Sequence, residues 1–239
     1  MIRVAAHRQR AGPTGSVNSA VRAEAAYAHL KERLLEGDLG AGDKLSVVEL
    51  TGELACSRVP VMEALKRLAG EGFVHIVPQV GCRVVTPRAD DVRDFFALFA
   101  AVEGTVTALA AARRTADDVR EFKRLCTEVD DIARRAGQPA DRDPIYRRLN
   151  LMFHSYIHGL ARSPVTTAVA AGMWDRSDFY IKLAFGSLYF SRKVKAAHQG
   201  IRAAIIAGDA AAATAAIGGH LANVGASVAA QLATLAREA

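Results

Sequence analysis

Four side chains in the C-terminal half of the chain could together bind a metal ion. Asn150 and His154 are four residues apart, so on a helix they lie one turn apart on the same face. His198 and His220 follow with a separation of 22 residues, which suits two neighbouring helices packed side by side. Imidazole nitrogens bind zinc, nickel, cobalt, copper or iron, whereas an amide oxygen is a weaker, neutral ligand. Scattered histidines in a bundle are more often surface or hydrogen-bonded core residues, so the spacing alone leaves both interpretations open.

His158 forms an HxxxH pair with His154. The zinc-protease version of this pair has glutamate directly after the first histidine, and here Ser155 occupies that position. A protease site is therefore poorly supported. We expect His158 at the edge of a pocket or in a helix interface.

The elements that must position these side chains are helices. Apolar residues recur at helical spacing, and breaks at glycine, proline or serine separate helices expected at 90–113, 115–136, 141–161, 164–186, 190–207 and 209–236. Six helices with short connections predict an antiparallel bundle, in which facing helices can hold a ligand or a metal. No segment after residue 88 predicts a strand.

The segment from Ser46 to Val85 predicts two short helices, a turn and a β-hairpin. Ser46 and Ser57 are start signals for the two helices, and Glu49 stands at the capping-box position relative to Ser46. Strands are expected at 73–77 and 82–85, after a longer helix at 19–36. This order of elements is that of a winged helix-turn-helix, whose second helix lies in the DNA major groove.

The sequence therefore predicts a mainly α protein in three parts. Residues 1–18 are expected to form a flexible arm, 19–87 a winged helix-turn-helix DNA-binding domain with a small β-hairpin wing, and 88–239 an all-α antiparallel helical bundle. Pro87 disfavours continued regular structure, and Asp90 and Asp91 suit the positive end of a new helix. The boundary is therefore expected near Pro87.

Composition is that of a globular protein without a membrane segment. The 239 residues are 51% hydrophobic and 23% charged, and the net charge of +6 permits nucleic-acid binding without establishing it. Three cysteines without paired spacing predict neither a disulfide framework nor a metal site, which suits a reducing cytoplasm. The charge-free stretch before Arg237 is rich in alanine and contains His220, Asn223 and Gln231, so we expect a buried helix there.

The chain resembles GntR-family transcriptional regulators of the FadR type, whose C-terminal effector domain is called FCD. In the N-terminal half the resemblance rests on Gly42-Asp43-Lys44-Leu45-Ser46, Glu49-Leu50, Ser57-Arg58-Val59-Pro60-Val61, Glu63-Ala64-Leu65, Leu68 and Phe73-Val74. In the C-terminal half it rests on Asn150-Leu151-Met152-Phe153-His154, His198 with Ile201, Ala204-Ile205, Gly208-Asp209 and His220-Leu221. The resemblance implies a homodimer that binds a near-palindromic operator DNA, with the bundle serving dimerisation and effector binding.

The resemblance also implies a divalent metal ion, zinc or nickel, bound at positions that correspond to Asn150, His154, His198 and His220. Asn150 replaces the aspartate that is commoner in the family, which lowers the negative charge of the site. Family effectors are small carboxylates or sugar acids that bind beside or on the metal.

Three residues are the predicted effector contacts in this chain: Arg176, Tyr180 and Asn223. A salt bridge from Arg176 to Asp175 or Asp178 is the alternative for that side chain. Phe99 stands where the family often has an arginine, so the contacts to the carboxylate of the effector are expected to differ from those usual in the family.

DNA contacts are expected on the second helix of the helix-turn-helix and on the wing, at Ser57, Arg58, Lys66, Arg67, Gln79, Gly81 and Arg83. Arg58 keeps a family arginine that can read guanine through two parallel hydrogen bonds, whereas Val48 and Met62 replace two others. We therefore expect DNA binding with a changed operator sequence. For Lys66 and Arg67 a solvated helix face is an equal alternative.

The predicted function is a cytoplasmic, ligand-responsive transcriptional regulator, a repressor whose operator affinity changes when the effector binds. One alternative is a metal-dependent hydrolase that uses the histidine cluster, although no glutamate is adjacent in sequence to His154, His198 or His220. The other is an architectural DNA-binding protein, which would bind all duplexes alike and ignore small acids.

Overall fold

A computed structural model describes residues 14–77, 81–135, 142–186 and 192–238. The chain divides into two compact units between Val85 and Thr86. Helices dominate both units, and in the described residues strands occur only in the first. The predicted fold class, mainly α with a small wing, is confirmed.

The N-terminal unit is built from helices and strands in the order of a winged helix-turn-helix. Its elements are α1 (Thr14–Glu36), β1 (Lys44–Leu45), α2 (Val47–Glu53), α3 (Arg58–Gly70), β2 (Val74–Val77) and β3 (Gly81–Val84). The Ser46 hydroxyl accepts a hydrogen bond from the Glu49 backbone N–H, as the capping-box spacing predicts. Ser57 holds the N-cap position of α3, although its side chain makes no capping hydrogen bond there.

Helix α1 begins earlier than the sequence predicts. Residues 14–18, expected in a flexible arm, are helical, while residues 1–13 of that arm lie outside the described residues. Once a helix has nucleated, each added residue gains a backbone hydrogen bond, so extension toward Thr14 is far less costly than a new start.

The core of this unit lies between α1 and α3. Leu30 and Leu34 of α1 and Val61, Leu65 and Leu68 of α3 are almost completely buried. Helices α1 and α3 are in direct contact, and α3 also contacts α2 and β2. The buried residues of α3 recur at helical spacing, so its opposite face points to solvent.

The wing is a three-stranded antiparallel sheet with strand order β1-β3-β2. The predicted hairpin is present, with Ile76 opposite Cys82, and residues 78–80, including the predicted DNA contact Gln79, lie outside the described residues. Strand β1 was not predicted; it pairs Leu45 with Cys82. A strand of two residues cannot produce the alternation by which strands are recognised in a sequence.

The C-terminal unit is a bundle of helices whose limits lie within two residues of prediction. They are α4 (Ala89–Arg113), α5 (Ala116–Arg135), α6 (Arg142–Ala161), α7 (Pro164–Phe185), α8 (Arg192–Ala207) and α9 (Ala210–Glu238). Helix α4 contacts α6, α7, α8 and α9, which makes it the centre of the bundle. Gly225 of α9 lies so close to α4 that a Cβ there would be 2.5 Å from Phe96 Cβ.

Among the described residues, only α4 is long and apolar enough to cross a membrane by length and composition. Of its most apolar stretch, 44% is buried inside the bundle. The helix also carries Glu103, whose side chain is completely buried against neighbouring helices. These contacts are those of the central helix of a bundle.

Candidate metal centre and nucleic-acid interface

Three helices bring the predicted histidines together inside the bundle. His154 comes from α6, His198 from α8 and His220 from α9, and one ring nitrogen of each lies within 4.8 Å of the others. Their ring centroids are 5.2 Å apart for His154 and His198, and 5.0 Å apart for His198 and His220. Residues far apart in sequence therefore form one cluster, which we call the histidine cluster.

Two side chains at this cluster, those of His154 and Asn150, have buried polar atoms without a hydrogen-bond partner among the described residues. His154 is 2% exposed and neither of its ring nitrogens has a partner; Asn150, one turn away on α6, is 7% exposed and its Oδ1 has none. A buried polar atom without a partner costs about 1–3 kcal/mol. Imidazole nitrogen and amide oxygen are both metal ligands, so this set of side chains fits a divalent cation.

The electrostatic environment keeps the three imidazoles neutral. Burial lowers the pKa of His198 to about 3, with a further contribution from nearby His220, and lowers the pKa of His220 to about 4. Burial also lowers the pKa of His154 well below 6.5, assisted by the other three bundle histidines. A histidine must be neutral to bind a metal, so the cluster needs no deprotonation at neutral pH.

The ring of His154 is held between neighbours. The Trp174 indole packs against it with a centroid distance of 3.9 Å, and the Trp174 Nε1–H donates to Glu103 Oε1 at 2.7 Å. The same carboxylate oxygen lies 2.7 Å from His158 Nε2. Glu103 of α4 thus contacts α6 through His158 and α7 through Trp174, whose ring packs on His154 of the cluster.

A cavity of about 210 Å³ opens beside His154 between α6 and α7. Asn150, His154 and His158 line one side of it, and Trp174 lines the other. Its remaining lining residues are Arg147, Leu151, Ser155, Ala171, Asp175 and Asp178. The cavity is large enough for a small organic acid. The guanidinium of Arg147 and potential metal ligands are among the groups that line it.

The winged helix exposes several of the predicted DNA contacts. Ser57, Arg58 and Lys66 are exposed at or along α3, and Gly81 and Arg83 are exposed on β3. Arg83 Nη1 also donates to the Gly42 carbonyl at 2.9 Å, which holds the side chain against the base of the wing. These residues belong to one unit, and their cations suit a phosphate backbone.

Among the described residues, Arg67 is the predicted DNA contact with the most partners within the unit. Its guanidinium lies 3.5 Å from the centre of the Tyr27 ring. It also pairs with Glu24 at 2.7 Å and with Glu71 at 3.3 Å. Arg67 of α3 therefore links this helix to α1 through Tyr27 and Glu24, which is a structural role.

Two family models match the chain. The model of the FCD domain matches residues 94–223, and that of bacterial regulatory proteins of the gntR family matches residues 22–84. The chain belongs to the GntR family and carries an FCD domain. The resemblance found in the sequence is thereby confirmed, and the matches indicate transcriptional regulators, not enzymes.

Two relatives of this GntR-family chain are described as transcriptional regulators. An uncharacterized HTH-type transcriptional regulator of Agrobacterium vitis is 33% identical over 101 residues, 42% of this chain and 56% of that protein. The Nta operon transcriptional regulator of Aminobacter aminovorans is 28% identical over 138 residues, 58% of this chain and 63% of that protein. The chain thus matches less than two thirds of the length of either relative.

A solved structure confirms the fold. A GntR transcriptional regulator from a Rhodococcus species superposes with a TM-score of 0.68 at 20% identity, covering 87% of this chain and 97% of that one. At this level of identity the likeness concerns the fold alone.

The cavity of this FCD domain does not include the predicted effector contacts. Arg176 and Tyr180 lie on another face of α7, where Arg176 Nε donates to the Tyr180 hydroxyl at 3.0 Å, and Asn223 is exposed on α9. The cation that lines the cavity is Arg147, whose Nε is 3.5 Å from Asp178 Oδ2. Its position three residues before Asn150 is the signal that could have revealed it, because both then share a helix face.

Two further residues of the site have different sequence signals. Glu103 was not predicted; a single carboxylate within the apolar sequence AAVEGTV is the clue that it needs a buried partner. Phe99, at the position of the family arginine, is completely buried and packs edge-on against Trp174 at 4.9 Å. The apolar ring of Phe99 therefore packs against Trp174, the neighbour of His154, at a position where the family often has a cation.

Proposed function

We propose that the protein is a homodimeric transcriptional repressor in the cytoplasm that binds a near-palindromic operator and releases it when a small carboxylate or sugar acid binds the FCD domain. The observation that carries this proposal is the histidine cluster at the edge of a polar cavity. The unpartnered buried atoms of His154 and Asn150 fit a cation, and the cavity beside the cluster has room for an anion. The chain also contains a winged helix, the usual means of operator recognition.

The proposed metal ligands are Asn150, His154, His198 and His220, with zinc or nickel as the ion. Three neutral imidazoles and one amide oxygen leave the net positive charge of a divalent ion uncompensated. When bound, the metal supplies a positive centre that attracts a carboxylate. The packing of Trp174 and the Glu103 carboxylate would keep the ring of His154 in the orientation for binding.

The cavity favours Arg147 over the predicted Arg176, Tyr180 and Asn223 as the contact of the effector carboxylate. A guanidinium binds a carboxylate through two parallel hydrogen bonds, and Arg147 lines the cavity together with Asn150 and His154. Its present partner, Asp178, is a single carboxylate at 3.5 Å, which an incoming anion can replace.

The proposed operator contacts combine base reading and phosphate binding. Arg58, at the start of α3, is proposed to read guanine, and the N-terminal residues of a recognition helix are those that reach base edges. Ser57, Lys66 and Arg67 on the helix-turn-helix, with Gln79, Gly81 and Arg83 on the wing, complete the predicted set. The engagement of Arg67 with α1 makes it the weakest candidate of these.

Effector and operator are proposed to act through a population shift. The effector must bind one arrangement of the dimer more tightly than the other, and the arrangement it favours must meet the two half-sites less well. A typical coupling free energy of about 1–3 kcal/mol would change operator affinity by about 5- to 150-fold.

Two measurements test the proposal together. A thermal-shift screen of small carboxylates with and without zinc should reveal an acid that stabilises the protein only when the metal is present. Duplexes selected from a random pool should then lose affinity when that acid is added. Equal affinity for all duplexes, with no response to any acid, would instead indicate an architectural DNA-binding protein.

A further inference from the structure

The solvent-facing side of α3 carries an apolar pair that the core does not use. The core side of the helix contains Val61 and Leu65, both completely buried. On the outer side Val59 is 58% exposed, and Met62, one turn further along, is only half-buried. Residues three apart on a helix are neighbours on its surface, so Val59 and Met62 form one continuous apolar strip.

We propose that Val59 and Met62 bind the 5-methyl groups of thymines in the operator, beside a base read by Arg58. This inference rests on the proposed function, because it requires α3 in the major groove. The thymine methyl group is the apolar feature that base pairs present in that groove, and apolar side chains recognise it by contact. Val59 is the second residue of α3, within the part of a recognition helix that approaches the bases.

The charges around the strip favour DNA over a protein as its occupant. Arg58 precedes the strip and Lys66 follows it on the same helix, and both are exposed. Two cations that flank a small apolar strip match a duplex, in which phosphates lie on either side of the base edges. Glu63 is also exposed on this side, and a carboxylate can accept a hydrogen bond from the amino group of cytosine.

The experiment replaces thymine by deoxyuridine, which removes only the 5-methyl group. A duplex selected from a random pool by the wild-type chain is resynthesised with one such replacement at a time, and affinity is measured by fluorescence anisotropy. At one or more thymines in each half-site, wild-type affinity should fall about fourfold, the factor that burial of one methylene-sized group supplies.

Variants assign the effect to the strip. Val59→Ser should abolish the difference between thymine and uracil at one position, and Met62→Gln should abolish it at another. Val21→Ser is the matched control, because Val21 is a 64% exposed valine on α1 of the same unit and should leave the difference intact. Both test positions are partly exposed, and thermal unfolding of each variant checks that the fold is retained.

The outcomes separate this inference from the proposed function. A selected sequence that wild-type protein binds equally well with thymine or uracil overturns the inference and leaves operator recognition intact. Loss of the difference in Val21→Ser as well would also overturn it. If no sequence is enriched from the pool, both the inference and the proposed function fail.

Discussion

At the scale of single residues, the histidine cluster brings one ring nitrogen from each of three helices close together inside the bundle. Neither ring nitrogen of His154 has a hydrogen-bond partner among the described residues, and the same holds for Oδ1 of Asn150. Each such atom destabilises the bundle, whereas a cation would turn the same atoms into ligands. The metal is therefore expected to stabilise the bundle as well as to prepare it for an anion.

Replacement of His220 by alanine is expected to weaken zinc binding by more than about 100-fold. Loss of an outer-sphere partner already costs about 10- to 100-fold in metal affinity, and His220 is proposed to bind the ion directly. Competition with a chromophoric chelator measures the change. His75→Ala is the control, since His75 is exposed on β2 of the other unit. Equal zinc affinity in both variants would remove His220 from the ligand set.

Arg58 and Lys66 should differ in how they contribute to DNA binding. If Arg58 reads a guanine, Arg58→Ala lowers discrimination between the operator and an altered site by about 1–3 kcal/mol. Lys66→Ala should weaken binding to all duplexes alike and reduce the slope of log affinity against log salt by about 1. Titrations of both variants on two duplexes at several salt concentrations distinguish these effects. Uniform weakening by Arg58→Ala would make Arg58 a phosphate contact.

The sequence revealed some site residues and concealed others for a physical reason. Asn150 and His154 share a helix face by their spacing alone, and the family resemblance connected them to His198 and His220. Glu103 is a single charge within an apolar stretch and Arg147 is one of two adjacent arginines, and the partners of both lie on other helices. Only packing brings such partners together, so the sequence could mark Arg147 and Glu103 as candidates but could not identify the residues that they contact.

At the scale of elements, the end of a helix could be predicted where the sequence has a residue, such as glycine, that favours helix termination. Gly186 and Gly208 have φ values of +68° and +77°, the left-handed conformation that glycine adopts most easily. Gly186 is the last residue of one predicted helix, and Gly208 directly follows another. Strand β1 and the start of α1 had no such signal. Which helices approach closely was equally hidden, because it depends on small residues that meet across the bundle.

Gly225 is predicted to be such a close-contact position. Because a Cβ there would be 2.5 Å from Phe96 Cβ, Gly225→Ala should lower the free energy of unfolding by about 1–3 kcal/mol. Gly219, on the same helix, is exposed, and a Cβ added there would meet nothing within 4 Å, so Gly219→Ala should raise stability by up to about 1 kcal/mol. Urea unfolding at a fixed zinc concentration measures both. Changes of the same sign would contradict the proposed packing of α9 on α4.

At the scale of the whole molecule, two units with separate cores share one chain. Their unfolding need not be a single transition, so each unit needs its own probe. The only tryptophan of the sequence, Trp174, lies in the bundle against His154, and its fluorescence therefore reports on the C-terminal unit. This makes the link between proton binding, metal binding and stability measurable in the complete protein.

The metal-free bundle is predicted to lose stability as the pH falls below about 6.5, the value for an imidazole in the unfolded chain. The folded-state pKa values of His198 and His220 are about 3 and 4, so between these values and 6.5 the unfolded state binds more protons. The free energy of unfolding then falls on acidification by about 1.4 kcal/mol per pH unit for each such imidazole. Urea unfolding followed by Trp174 fluorescence between pH 5 and 7, with a chelator present, measures this slope.

His220→Asn removes one of these imidazoles and should make the slope shallower by about 1.4 kcal/mol per pH unit, since an amide does not titrate. His75→Asn, in the exposed wing position, should leave the slope of the Trp174 transition unchanged. Saturating zinc should raise the stability at each pH but leave the slope between pH 5 and 7 unchanged, because the imidazoles of the folded bundle carry no proton there even without the metal. A slope that is the same in wild-type protein and His220→Asn would mean that folding does not lower the pKa of His220, which would contradict its burial in the cluster.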